Sequence, residues 1–151
     1  MLLEAFLAYF HFVAILGVVV FLTSEAALCR VEWMNAAVVK RLNRVDFLYM
    51  VAAIALLATG LARTIWGVKG TAWYWHQPLL HLKVTLFVVI GLMSIKPTIM
   101  FRRWAKTLAA TGAIPQESDI REARRWVMIE AHLLVLVPLA ATMLARGVFA
   151  R

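Results

Sequence analysis

Residues 73–98 read WYWHQPLLHLKVTLFVVIGLMSIKPT. Three aromatic residues and a histidine precede Pro78, and the chain then continues as a long apolar run that contains His81 and Lys83 near its start. A membrane-spanning helix needs about 20 mainly apolar residues to cross roughly 30 Å of hydrocarbon. The segment is long enough, so it predicts a transmembrane helix that begins with two ionisable side chains.

Comparable apolar segments occur four times in the 151-residue chain. Hydrophobic residues make up 64% of it, charged residues make up 16%, and the mean hydropathy is +0.82. A soluble domain usually has about 45–50% apolar residues. The predicted spans are residues 3–26, 47–67, 79–101 and 125–146. We therefore predict one all-α transmembrane domain over residues 1–151, folded as an antiparallel four-helix bundle.

The two halves of the chain resemble each other. FHFVAILGVVVF around His11 aligns with LHLKVTLFVVIG around His81, and ALLATGLAR, ending at Arg63, aligns with PLAATMLAR, ending at Arg146. Parallel repeats in membrane proteins are related by an axis along the membrane normal. The alignment predicts a duplicated helical hairpin, in which His11 and His81 occupy equivalent places.

The distribution of basic residues predicts the orientation. Short cytoplasmic loops collect Lys and Arg, and the second connection holds only Lys69. The first connection holds Arg30, Lys40, Arg41 and Arg44, and the third holds Arg102, Arg103, Lys106, Arg121, Arg124 and Arg125. Both termini are therefore expected outside the cytoplasm, with the net charge of +8 attracted to anionic lipids of the bilayer. These residues flank spans and form no separate domain, so nucleic-acid binding is not expected.

Aromatic residues and the apolar first segment support the same interpretation. Trp66, Trp73, Tyr74 and Trp75 fit an interfacial aromatic belt. The first segment lacks a basic start and is longer than the apolar part of a signal peptide, so we expect a retained span.

His11 and His81 are the candidate cofactor ligands. Facing imidazoles from two helices suit the axial positions of haem b iron, which makes these residues candidate metal ligands. Arg63 and Arg146 lie fourteen residues after Tyr49 and His132, and each is predicted to hold a haem propionate or to extend to lipid headgroups. Lys83 is two residues from His81, so we expect it on another helix face, as a catalytic proton donor.

A second polar set lies nearer the basic connections. It consists of Glu25, Lys96, Glu130 and His132. Pairing of Glu25 with His132, or with a loop arginine, would give this set a purely structural role. Cys29 is the only cysteine, which excludes an internal disulfide.

The stretch HQPLLHLKVTLFVVIGLMSIKPTIMFRRW resembles an uncharacterised bacterial family of short four-span membrane proteins with an N-P-x-x-H-x-K opening and a later S-I-x-P-T. Gln77 stands where that pattern has Asn. More distantly, the chain is similar to HemJ-type protoporphyrinogen oxidases. That resemblance implies haem ligation by His11 and His81, a functional Lys83, and location in the bacterial inner membrane.

Three functions follow from these patterns. The first is a haem b membrane protein that acts as an oxidase or carries electrons, with quinone or a porphyrinogen as partner. The second is a transporter or metal-handling protein without haem, which uses His11, His76 and His81 along a path. The third is a scaffold subunit whose polar groups only join helices. A homo-oligomer is compatible with each.

The charge pattern predicts that the C-terminus lies outside the cytoplasm. A reporter that is active only in the cytoplasm should therefore give little signal when it is fused after Arg151, and strong signal when it is inserted in the basic connection near Gly112. Strong signal from the C-terminal fusion would reverse the orientation.

Overall fold

A computed structural model describes residues 2–66, 75–76 and 78–146. Lys69, Trp73, Tyr74 and Gln77 lie outside the described residues. Within them the secondary structure is four long α-helices and a 3-10 turn at Val31–Trp33, without strands. The helices are α1 (Leu2–Leu28), α2 (Ala36–Trp66), α3 (Pro78–Thr111) and α4 (Glu117–Ala145). They pack as a bundle, which confirms the predicted fold class.

Each helix is long enough and apolar enough to cross a membrane. At 1.5 Å per residue, the helices of 27–34 residues extend about 40–50 Å, which exceeds the hydrocarbon thickness. The prediction that Lys40, Arg41 and Arg44 belong to a connection is wrong, because α2 already begins at Ala36. Asn35 explains this early start: its Oδ1 accepts hydrogen bonds from the backbone N–H groups of Ala37 and Val38, at 2.9 and 3.0 Å.

The chain forms two helical hairpins. The most extensive packing joins α1 to α2 and α3 to α4, and the α2–α3 and α1–α4 contacts are smaller. Gly17 of α1 lies so close to α2 that a Cβ there would be 3.1 Å from Cβ of Ala52. Small residues let membrane helices approach closely, so this contact fixes the spacing of the first hairpin.

The two hairpins meet in a tightly packed core near the short connections. Phe101 is fully buried and packs edge-to-face on Trp104, with ring centroids 5.4 Å apart. Arg124 of α4 donates hydrogen bonds to the backbone carbonyls of Ala26 and Cys29, at 2.6 and 3.2 Å. These carbonyls end α1 and have no partner within the helix, so Arg124 caps α1 across the hairpin interface.

Cys29 belongs to this core. Its side chain is fully buried, with Sγ 3.7 Å from the carbonyl oxygen of Ile120. Burial raises the pKa of the Cys29 thiol to about 12, against the smaller opposing effect of Arg124. A neutral buried thiol behaves as a small apolar residue, so Cys29 is a packing residue.

Apolar side chains also cover the outside of the bundle. Each helix exposes large hydrophobic residues, for example Leu16, Ile54, Leu92 and Val135, the last 70% accessible. A soluble protein rarely exposes such continuous apolar surface. These faces are the lipid-contacting surface of a membrane protein.

The close α1–α2 contact predicts that Gly17→Leu destabilises the bundle. The added side chain would overlap α2, and overpacking typically costs about 1–3 kcal/mol. Gly91→Leu is the matched control, because a Cβ at Gly91 meets no atom within 4 Å. Thermal unfolding in detergent should show a lower midpoint for Gly17→Leu than for Gly91→Leu, and equal midpoints would contradict the contact.

Candidate functional site

Polar side chains form two clusters inside the bundle, at different depths. We call the end with Leu2, Trp66 and Pro78 the terminal end, and the opposite end, with the two short connections, the hairpin end. The buried residues of α1 follow a helical spacing of three and four: His11, Ala14, Val18, Leu22 and Glu25. His11 and Glu25 therefore share one face and lie about 21 Å apart along the helix axis.

His11 lies near the terminal end, between α1 and α2. Its side chain is buried, and its Nδ1 is 2.9 Å from the hydroxyl oxygen of Thr59. The ring packs on Gly60, where a Cβ would be 3.4 Å from His11 Cε1. The adjacent residues Thr59 and Gly60 thus provide a hydrogen-bond partner and the space for the imidazole.

Two cations lie near this histidine. Lys83 and Arg63 are half-buried, and the positive charge of each contributes to the electrostatic environment of His11. Arg63 also acts on Lys83. We define His11, Arg63 and Lys83 as the basic cluster. Neither Lys83 nor Arg63 forms an ion pair with any other residue that the structure describes.

The expected directions of His81 and Lys83 are reversed. The sequence predicted His81 inside and Lys83 outside, but α3 turns Lys83 toward the bundle and leaves His81 exposed. Residues two apart lie roughly 200° apart on a helix, so one faces inward when the other faces outward. The Nε2 atom of His81 is 2.9 Å from the carbonyl oxygen of Trp75. Arg146 is also exposed, just beyond α4.

The structure thus brings His11, Arg63 and Lys83 together but does not bring His81 or Arg146 to them. Ligation of haem iron by His11 and His81 requires the His81 ring to turn inward from the Trp75 carbonyl, and it stays a prediction. The described residues contain no group of three or more His, Cys, Asp or Glu side chains that could hold a metal ion. His11, His76 and His81 therefore do not form such a group.

The second cluster consists of three carboxyl groups nearer the hairpin end. Glu25 of α1, Asp46 of α2 and Glu130 of α4 are each at most 2% exposed. Asp46 and Glu130 both act electrostatically on Glu25, and Asp46 acts on Glu130. We call these three residues the carboxyl cluster.

Two hydroxyl groups donate to the carboxyl cluster. Thr98 of α3, next to the buried Pro97, donates a 2.6 Å hydrogen bond to Asp46 Oδ1. The hydroxyl group of Tyr49 donates a long bond, 3.5 Å, to Glu130 Oε2. All four helices therefore contribute a side chain to this region of the interior.

Two carboxyl oxygens in this cluster have no partner. Oε1 of Glu25 and Oε1 of Glu130 are buried and accept no hydrogen bond from any described residue. None of the three carboxyl groups forms an ion pair with another described residue. A buried polar group without a partner usually costs about 1–3 kcal/mol, and more when it is charged. The cluster is therefore incompletely satisfied by the protein itself.

The predicted pair between Glu25 and His132 is wrong. His132 is exposed, and its Nδ1 is 2.6 Å from the carbonyl oxygen of Met128. It lies two residues from the buried Glu130, so it faces the opposite side of α4. Lys96 is also outside the cluster, since it pairs with Glu122 and lies 5.0 Å from the ring centroid of Trp126.

Sequence reasoning missed Asp46, which was placed at the edge of the second span. Its signal is the spacing of the buried residues of α2, Val39, Leu42, Asp46, Tyr49, Ala52 and Leu56, which follows the three- and four-residue steps of a packed helix face. Continuing that pattern backward from the apolar segment would have placed Asp46 and Tyr49 in the interior.

Comparison with known proteins identifies the family but no activity. No curated protein and no solved structure matches the chain significantly. Residues 3–149, nearly the whole chain, match a family described as predicted membrane protein, DUF2214. The expected membership of a membrane-protein family is thus confirmed, and the resemblance to HemJ-type oxidases stays a prediction. The chain belongs to the DUF2214 family of predicted membrane proteins.

Proposed function

We propose that this chain is a proton-coupled membrane transport protein in which the carboxyl cluster takes up and releases protons. The observation that carries the proposal is the burial of Glu25, Asp46 and Glu130 together, with two carboxyl oxygens left without partners. Ionisable residues inside membrane domains are costly, and they commonly mark ion pathways and proton relays.

The chemistry of the cluster favours protons as its ligand. Carboxylates that share the interior of a bundle repel one another, because the interior screens their charges less than water does. A bound proton removes one negative charge and turns that carboxyl group into a hydrogen-bond donor. The new donor can supply the partner that the Oε1 atoms of Glu25 and Glu130 lack. Proton binding therefore relieves both the repulsion and the missing hydrogen bonds.

The position of the cluster supports coupling across the bundle. On the buried face of α1, Ala14, Val18 and Leu22 separate the carboxyl cluster from His11. A buried polar site that an apolar layer separates from one end of the bundle is compatible with alternating access, in which a single site opens first to one side and then to the other. Purely structural polar groups would be expected to satisfy one another fully, whereas Oε1 of Glu25 and Oε1 of Glu130 have no partner among the described residues.

Proton binding predicts an infrared carbonyl-stretch band from buried protonated carboxyl groups, which loses intensity as the pH is raised. Glu25→Gln and Glu130→Gln should each reduce this band, because the amide cannot take up a proton. Both variants should remain folded, and the free energy of unfolding should fall by no more than about 1 kcal/mol, the size of typical hydrogen bonds in membrane proteins. The measurement is difference infrared spectroscopy of the detergent-purified protein in H2O and D2O.

Glu122→Gln is the matched control, because Glu122 is an exposed carboxylate paired with Lys96. It should leave the buried band unchanged. An identical band in wild type, Glu25→Gln and Glu130→Gln would reject proton binding at the cluster.

Transport itself is tested in proteoliposomes that contain a pH-sensitive dye. A panel of organic anions and cations is added outside, and the internal pH is followed. We expect at least one class of solute to drive proton movement with wild-type protein and not with Glu130→Gln. Proton movement that is the same in Glu130→Gln as in wild type would exclude coupling through the cluster.

Haem binding is the second candidate, and the basic cluster favours it. His11 is buried beside two cations, and cations of this kind can bind carboxylates such as haem propionates. When bound, haem would supply one-electron redox chemistry, in line with the resemblance to HemJ-type oxidases. His11 would contribute a ring nitrogen, Arg63 and Lys83 would neutralise propionates, and His81 would have to leave the Trp75 carbonyl.

The haem candidate predicts dithionite-reduced absorption bands that weaken in both His11→Ala and His81→Ala. Loss of a histidine that would hold the haem should lower its occupancy and alter its spectrum. His132→Ala is the control, since His132 is an exposed histidine of α4 away from the basic cluster. Bands of equal intensity and position in all three variants would exclude ligation by His11 and His81.

A further inference from the structure

We propose that the basic cluster binds the phosphate group of an anionic phospholipid at the terminal end of the bundle. This inference does not depend on proton binding at the carboxyl cluster. It rests on three positively charged or polar groups that converge from three helices, His11 from α1, Arg63 from α2 and Lys83 from α3.

The charges of the basic cluster are not balanced by an ion pair with any residue that the structure describes. Both groups that act electrostatically on His11 are cations, and Arg63 acts on Lys83 in the same way. No described carboxylate forms an ion pair with Arg63 or Lys83. Two like charges that are half-buried repel each other, so an anion between them would lower the energy of the folded state.

The chemistry of these side chains suits phosphate. A guanidinium group binds two phosphate oxygens through parallel N–H groups, and an ammonium group adds a compact positive charge. The Nδ1 of His11 is engaged with Thr59, which leaves the other ring nitrogen for an interaction with an oxygen. The three groups together can contact several oxygens of one phosphate.

The depth of the cluster suits a lipid. Lys83 is five residues into α3, and Arg63 is three residues before the end of α2, which places them roughly 5–8 Å from the helix ends. Phosphate groups of a bilayer lie near this level, just outside the hydrocarbon. Apolar side chains near the terminal end are exposed, for example Leu61 at 43% and Leu82 at 48%. They offer apolar surface to the acyl chains, which free phosphate would not use.

If Arg63 and Lys83 only extended toward lipid headgroups, they would bind many lipids weakly. A built site binds one lipid per chain, because its three groups act together on a single phosphate. Stoichiometry and residue dependence therefore distinguish the two situations.

The test is native mass spectrometry of the detergent-purified protein titrated with phosphatidylglycerol, with diacylglycerol as the probe that lacks phosphate. We expect one saturable phosphatidylglycerol per chain and no comparable binding of diacylglycerol. Lys83→Gln and Arg63→Gln should each weaken the affinity about tenfold or more, the range of hydrogen bonds to charged groups. Lys40→Gln removes the same charge from an exposed site on α2 and should change the affinity less than twofold.

Two further variants keep the result interpretable. Lys83→Arg retains the cation and should retain binding within about threefold, even if the neutral variants fold poorly. Glu130→Gln should also retain binding, which separates this site from the proposed proton function. Displacement of phosphatidylglycerol by millimolar inorganic phosphate would keep the phosphate site but overturn the assignment to a lipid. Absence of a saturable complex, or equal affinity in Lys83→Gln, Arg63→Gln and Lys40→Gln, would overturn the site itself.

Discussion

The close contact between α1 and α2 determines where the polar groups of this protein lie. Gly17 brings the helix backbones together at Ala52, and Gly60 makes room for the ring of His11 one interface layer further toward the terminal end. With the two helices fixed at this distance, His11 and Glu25 both face inward and meet residues of α2 at opposite depths. A larger residue at either glycine would separate the helices and displace both clusters.

The architecture follows from the sequence because it depends on bulk properties. Four apolar segments, basic connections and the acidic start of α4 at Glu117 and Asp119 are visible without coordinates. The direction of an individual side chain is a different matter. His81 and Lys83 differ by only two residues, and a helix that is apolar on every side gives no pattern that fixes its rotation. Packing of α3 against its neighbours decides which of them faces inward, so this prediction failed. Asp46 was missed for a related reason, since the apolar segment begins at residue 47 whereas α2 already begins at Ala36.

The two clusters carry opposite kinds of ionisable group: the basic cluster contains cations without a carboxylate, and the carboxyl cluster contains carboxyl groups without a cation. The basic cluster near the terminal end has no carboxylate partner among the described residues, and the carboxyl cluster near the hairpin end has no paired cation. About 21 Å of helix separates His11 from Glu25, so the charges cannot neutralise one another directly. We propose that the missing partner is a proton in the carboxyl cluster and an anion in the basic cluster.

The polar bonds between the two hairpins are distributed unevenly along the bundle. Within the described residues, the bonds that join one hairpin to the other are Thr98–Asp46, Tyr49–Glu130, and the contacts of Arg124 and Cys29, all toward the hairpin end. Among the described residues of the terminal half, no hydrogen bond joins the two hairpins. The hydrogen bonds of Asp46, Glu130 and Arg124 connect the two hairpins at the hairpin end. If the hairpins move apart, they pivot about that end, and the gap between them opens at the terminal end, near His11. Protonation of Asp46, which holds Thr98 next to Pro97, would act at the pivot.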